Sequence, residues 1–150
     1  MREQELRQYF LGQRSDSELS QDLIGSVAQI DQIVSSVQIV DMQESFCVTR
    51  PHLVKLCDAF VRRALSASDL SVVAFALLAS DAFEWHDEIV SEVLSDWSAP
   101  EVNYVLNADT INMHRDWLLG YAEPSERTPS NTHLKVGNLL AVRTKTVSNN

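Results

Sequence analysis

One segment that is apolar on almost every helical face constrains the fold more than any other. Its apolar side chains, between residues 69 and 80, are Val72, Val73, Phe75, Ala76, Leu77, Leu78 and Ala79. A helix that is apolar all round has to be covered on several sides. We therefore predict a central, nearly fully buried helix at 69–80, with Phe75 and Leu78 inside, and the rest of the chain packed around it.

Start and stop signals predict further helices around this centre. The clearest helix has Thr49 as its N-cap and Pro51 near its first position, and its apolar residues recur at three- and four-residue steps as far as Ala64. Similar patterns predict helices at 2–11, 18–24, 87–95 and 109–119. A chain of 150 residues can bury one core. The predicted fold is a mainly α, single-domain bundle of about five or six helices.

Two parts of the chain depart from the helical pattern. β-branched residues after Ser36 favour a short strand at 37–41, which would pair with 45–48 as a small two-stranded ribbon. Residues 122–131 have the composition of a linker. We therefore predict an acidic helical domain at 1–121, followed by a linker and C-terminal tail at 122–150. Apolar residues leave open the docking of 134–142.

Charge is distributed unevenly along the chain, whose net charge is −9. Residues 64–114, here called the acidic window, contain no Lys or Arg. They hold nine carboxylates: Asp69, Asp81, Glu84, Asp87, Glu88, Glu92, Asp96, Glu101 and Asp109. A long stretch of one sign attracts a basic surface. It also argues against contact with nucleic-acid phosphates, because affinity for them rests on Lys and Arg. We predict a basic protein partner and no nucleic acid.

The helix at 87–95 offers the best-defined acidic surface. Glu88, Glu92 and Asp96 are spaced by four residues, so we predict that they form one outward ridge, although like charges at that spacing destabilise a helix by roughly a few tenths of a kcal/mol per pair. Tryptophans are core plugs or interface anchors; we expect Trp97 and Trp117 to be buried and leave both roles open for Trp85. The predicted partner-binding residues are Glu84, Trp85, Asp87, Glu88, Glu92 and Asp96.

Two groups of reactive side chains supply enzymatic alternatives. A metal or acid–base site would use four residues close in sequence: Asp81, Glu84, His86 and Asp87. Acids at a helix start have a simpler explanation in the helix dipole. A nucleophile would require a cysteine beside a histidine, Cys47 or Cys57 with His52, His86 or His114, but both cysteines have the apolar neighbours of core residues. We expect no catalytic residue, metal or cofactor.

The N-terminus and the lengths of the apolar runs bear on location. Residues 1–5 lack the basic and then apolar run of a signal peptide, and no apolar stretch approaches the roughly 18 residues of a membrane span. Two cysteines make no disulfide framework. We expect a soluble, cytoplasmic protein that does not contact membranes.

A compact, acidic, helical, cytoplasmic protein of this size resembles the immunity proteins that bacteria keep against nuclease bacteriocins and contact-dependent toxins. The similar parts are Phe83-Glu84-Trp85-His86-Asp87-Glu88 and the ridge Glu88, Glu92, Asp96. In that class an acidic helical face covers the basic surface with which the toxin binds nucleic acid. The resemblance implies a non-enzymatic toxin inhibitor. A small helical or metal-dependent enzyme and an acidic regulatory subunit remain open.

Overall fold

The protein is mainly helical, as predicted, with small sheets added to the helices. The computed structural model describes residues 1–29, 35–124 and 139–145. Within them the helices are α1 Glu3–Phe10, α2 Asp16–Leu23, α3 Arg50–Val61, α4 Ala67–Ala79, α5 Glu88–Ser98 and α6 Ala108–Leu119. None of these helices combines the length and the apolar content needed to cross a membrane.

Side-chain caps explain where several helices begin. Ser15 accepts a hydrogen bond from the Glu18 N–H, and the Glu18 carboxylate accepts one from the Ser15 N–H at 2.7 Å, so the two residues form a capping box at the start of α2. The same exchange between Ser66 and Asp69 starts α4 at residue 67, two residues earlier than predicted. Thr49 is the N-cap of α3, and Pro51 lies in its first turn, as predicted.

Helix α4 lies at the centre of the core. It packs against α2, α3, α5 and the sheet, and it buries Leu70, Val72, Val73, Ala74, Ala76 and Leu77. The prediction of a nearly fully buried helix with Leu78 and Phe75 inside is wrong at Leu78, which is 40% exposed, and Phe75 is only partly buried. An apolar sequence therefore identified the central helix but did not locate the strip that its neighbours leave uncovered.

The larger sheet joins parts of the chain that are distant in sequence. It contains β1 Val27–Gln29, β2 Ser35–Asp41 and β5 Leu139–Lys145, in the order β1-β2-β5. Strand β1 is antiparallel to β2, whereas β5 runs parallel to β2 along seven residues. Residues 139–145 of the predicted tail thus belong to the same sheet as β2. Residues 125–138, which include most of the predicted linker, lie outside the described residues.

The predicted ribbon between 37–41 and 45–48 is wrong in its pairing. Both segments contain strands, but β3 Phe46–Cys47 pairs in parallel with β4 Phe83–Glu84, not with β2. The physical reason is burial, since Val37 and Ile39 of β2 are buried in the core, while the ring of Phe46 stacks on that of Phe10 at 6.0 Å. The pairing of each strand is thus set by the hydrophobic residues against which its own side chains pack.

Candidate functional site

A cleft opens where the parallel strands β3 and β4 end. The two strands are joined by hydrogen bonds from Phe46 N–H to the Ala82 carbonyl, 2.8 Å, and from Val48 N–H to the Glu84 carbonyl, 2.7 Å. Beyond these hydrogen bonds β3 leads into α3 and β4 leads into α5, so the two segments of backbone diverge. The resulting cleft of about 720 Å³ is lined by the first turns of both helices. Four of the predicted partner-binding residues lie on β4 or in the five residues after it.

Asp87 serves first as a structural link in this cleft. Its carboxylate accepts two hydrogen bonds from Arg50, Nε to Oδ2 at 2.6 Å and Nη2 to Oδ1 at 3.2 Å, and caps α5 by accepting one from Ile89 N–H at 2.8 Å. The Arg50 guanidinium is the main cause that lowers the pKa of Asp87 from its usual range. Asp87 therefore connects α3 to α5 and keeps few acceptor positions for a partner.

The exposed part of the predicted site is the stretch from Glu84 to Glu88. Side chains alternate along this extended segment: Glu84 and His86 point to solvent, whereas Trp85 packs partly against the core. Neither Glu84 nor Glu88 forms an ion pair with any described residue. The Trp85 ring remains partly accessible, so its core and interface roles are compatible. Glu92, one turn along α5 from Glu88, is half-buried.

The prediction that Asp96 completes an outward ridge is wrong. Asp96 is fully buried, and its Oδ2 lies 3.0 Å from Nε2 of the buried His114. The reason lies in helix geometry, because each step of four residues overshoots a full turn by roughly 40°, and two steps turn Asp96 roughly 80° away from Glu88. Of the predicted ridge, Glu88 is exposed and Glu92 is half-buried.

The imidazole of His114 holds a buried polar network between α5 and α6. Trp97 Nε1–H donates to His114 Nδ1 at 3.1 Å. Because an indole N–H can only donate, Nδ1 must be the acceptor, and the proton of the neutral ring lies on Nε2, from which it is donated to Asp96. The rings of Tyr104 and Trp117 contact the imidazole at centroid distances of 5.8 Å and 5.0 Å. Sequence reasoning missed this network, although an acid next to a core tryptophan was a usable signal.

The two cysteines lie in different environments. Cys57 is buried in the core, as predicted, and burial raises the pKa of its thiol to about 12. Cys47 is exposed, so the prediction that it is core-like is wrong, and it lines the cleft together with His86. His52 does not line this cleft; its Nδ1 accepts a hydrogen bond from the Thr49 N–H, and its ring stacks on Phe10.

The carboxylate–histidine alternative for a metal finds little geometric support. Among the described residues, no group of three or more His, Cys, Asp or Glu side chains is arranged to hold a metal ion. Asp81, Glu84 and His86 are exposed, and Asp87 is occupied by Arg50 and by its helix cap. The four residues share a stretch of sequence rather than a common coordination centre.

Ion pairing differs between the acidic window and the rest of the described chain. Outside the window five carboxylates each pair with an arginine: Asp22 with Arg2, Glu44 with Arg7, Glu5 with Arg14, Asp16 with Arg62 and Asp58 with Arg115. Inside it, Asp87 pairs with Arg50, whereas Glu84 and Glu88 have no arginine or lysine partner among the described residues.

No protein-family model, curated protein or solved structure matches this chain.

Proposed function

We propose that this chain is a non-enzymatic binding protein that presents an acidic surface, formed by Glu84, Glu88 and Glu92, to a basic protein partner. The observation that carries the proposal is the contrast in ion pairing. Five carboxylates outside the acidic window pair with arginines, whereas Glu84 and Glu88 are exposed and have no ion-pair partner among the described residues. Exposed charge of one sign attracts an opposite surface and speeds encounter with it.

The neighbouring Trp85 would add an apolar contact to this charged surface. Its ring is partly buried against the core, which fixes the ring in place, and partly open beside Glu84. Tryptophans held in this way are frequent at the energetic centres of interfaces. Asp87 holds the start of α5 against α3 through its ion pair with Arg50, whereas the buried Asp96 does not belong to the surface.

We further propose that the partner is a nuclease-type toxin and that this chain is its immunity protein. A nuclease needs a basic surface for the phosphate backbone. An acidic protein that covers such a surface inhibits by occupying it, and this requires no metal or cofactor in the inhibitor. An acidic regulatory subunit would use the same surface but leave the activity of its partner intact.

The test is to co-express this chain with the protein encoded beside its gene and to measure protection against toxicity. The paired variant Glu84→Lys/Glu88→Lys should abolish protection. The matched control Asp116→Lys/Glu123→Lys makes the same change of charge at two exposed carboxylates outside the acidic window, and it should protect as the unmodified chain does.

Affinity measured against salt then examines the mechanism. The complex should weaken steeply as salt rises, because screening acts over about 8 Å at physiological ionic strength. A complex that is insensitive to salt, or that the two paired variants weaken equally, would move the interface elsewhere. A complex that forms without inhibition would retain the binding role and overturn the immunity role.

A further inference from the structure

A second groove, smaller than the first cleft, lies between α3 and the C-terminal end of α6. Its volume is about 290 Å³. Pro51 and Val54 of α3 and Leu118 and Leu119 of α6 supply its apolar surface, and Leu119 is 38% exposed. The groove is close to the lower limit of ligand pockets, about 300 Å³, so it fits one or two side chains of a partner.

The rim of this groove has the opposite charge to the acidic surface. Arg50, Lys55 and Arg62 line it, together with a single carboxylate, Asp58, which is already paired with Arg115 at 2.8 Å. Only eight Lys and Arg residues occur in residues 1–124, and three of them meet here. Cations thus surround this apolar groove in a protein whose net charge is −9.

Lys55 differs from the two arginines of the rim in having no counter-ion among the described residues. Arg50 pairs with Asp87 and Arg62 pairs with Asp16, but no described carboxylate lies within ion-pair distance of the Lys55 ammonium. That ammonium donates to the Tyr9 carbonyl and lies 4.1 Å from the centre of the Tyr9 ring. Asp16 acts on it only from a longer range.

Half-buried charge of this kind favours an incoming anion. A carboxylate that reached Lys55 would form a charge-assisted hydrogen bond, which is stronger than a neutral one. Arg62 donates from Nη2 to Asp16 at 2.8 Å, and a guanidinium has further N–H donors beyond the one used there. The aliphatic surface beside these cations favours a ligand that carries a hydrocarbon side chain next to its carboxylate, in preference to a bare phosphate.

We propose that this groove binds a peptide segment in which a branched aliphatic side chain lies next to a carboxylate. The aliphatic side chain packs on Val54, Leu118 and Leu119, and the carboxylate is held by Lys55 with Arg62 beside it. Glu84 and Glu88 do not line this groove, which shares only Arg50 and Pro51 with the first cleft. Its ligand has the opposite charge, so this proposal does not depend on the proposed function.

The experiment titrates the isotope-labelled full chain with short blocked peptides and follows amide chemical shifts. The probe is acetyl-Gly-Leu-Glu-Leu-Gly-amide, and the matched controls replace Glu by Lys or both Leu residues by Ser. We expect the first peptide to shift the amides around residues 54–62 and 118–119. Both control peptides should bind at least roughly tenfold more weakly, because each lacks one half of the recognition.

Variants of the protein localise the effect. Lys55→Gln removes the charge but keeps a donor for the Tyr9 carbonyl, and it should weaken binding roughly tenfold or more. Leu119→Ser, at an exposed position, should weaken it without lowering the melting temperature. Arg63→Gln removes an exposed cation that does not line the groove, and it should change nothing.

Several results would overturn the proposal. The peptide could leave the groove amides unshifted at millimolar concentration, or the Lys-containing peptide could bind equally well. Binding could also be unchanged in both Lys55→Gln and Leu119→Ser. Inorganic phosphate that produced the same shifts and displaced the peptide would make the groove a general anion site.

Discussion

Replacing His114 by alanine should be among the most destabilising single changes in this protein. The imidazole connects two buried groups, accepting from Trp97 Nε1–H at 3.1 Å and contacting Asp96 Oδ2 at 3.0 Å. Its removal leaves a buried indole N–H and a buried carboxyl group without this partner. Each such loss costs about 1–3 kcal/mol, and more if the group is charged.

The magnitude follows from these losses and from the cavity that the ring leaves among Trp97, Tyr104 and Trp117. Together they predict that His114→Ala lowers the free energy of unfolding by about 3–6 kcal/mol. Asp96→Asn keeps an oxygen that can accept from Nε2–H but brings two N–H donors into a buried site, so we expect a smaller loss of about 1–2 kcal/mol. The control Asp116→Asn, at an exposed position on the same helix as His114, should change the free energy of unfolding by no more than about 0.5 kcal/mol.

Urea unfolding monitored by tryptophan fluorescence and by far-ultraviolet circular dichroism measures these differences. The two signals should give the same midpoint for each variant if unfolding is two-state. A loss below about 1 kcal/mol for His114→Ala would refute the assigned network, since a buried indole N–H that loses its acceptor costs at least that much. A loss for Asp96→Asn that exceeded the loss for His114→Ala would show that the carboxylate charge matters more than the imidazole.

Three further predictions concern other parts of the chain. Iodoacetamide at pH 8 should label the exposed Cys47 in the native protein. Cys57 is buried and the pKa of its thiol is raised to about 12, so it should be labelled only after unfolding. Two labels on the native protein, detected by mass spectrometry, would contradict this. Arg50→Gln should lower stability at pH 7 by about 1 kcal/mol or less, because the pair is partly exposed. Because folding lowers the pKa of Asp87, the pair stabilises the protein at a pH above the pKa of Asp87 in the unfolded chain, and this stabilisation is lost as pH falls through its pKa in the folded protein. The difference in the free energy of unfolding between Arg50→Gln and the unmodified protein should therefore vanish in urea titrations at acid pH. Deleting residues 139–150 removes the strand that pairs with β2 along seven residues, and it should lower the melting temperature; an unchanged melting temperature would show that β5 adds nothing to the fold.

Local sequence determined where most helices begin and end. The capping box of Ser15 and Glu18 and the Thr49 start of α3 involve residues within one turn of each other, so no distant contact is needed to predict them. The long apolar run of α4 likewise made that helix central. The sequence also showed that no Lys or Arg lies near Glu84 and Glu88 along the chain. The structure adds that both side chains are exposed.

Tertiary structure decided which strands pair and which polar residues turn inward. Phe46 and Val37 both lie in strands, but a strand pattern carries no information about its partner, which is set by packing against residues far away in sequence. The same holds for Asp96, whose spacing from Glu88 fits an outer ridge until the rotation of the helix and the position of His114 bury it. Arg50 and Lys55 of α3 line a groove only because α6 packs beside α3. Caps and periodicity are local properties, whereas pairing and burial depend on contacts between distant parts of the chain.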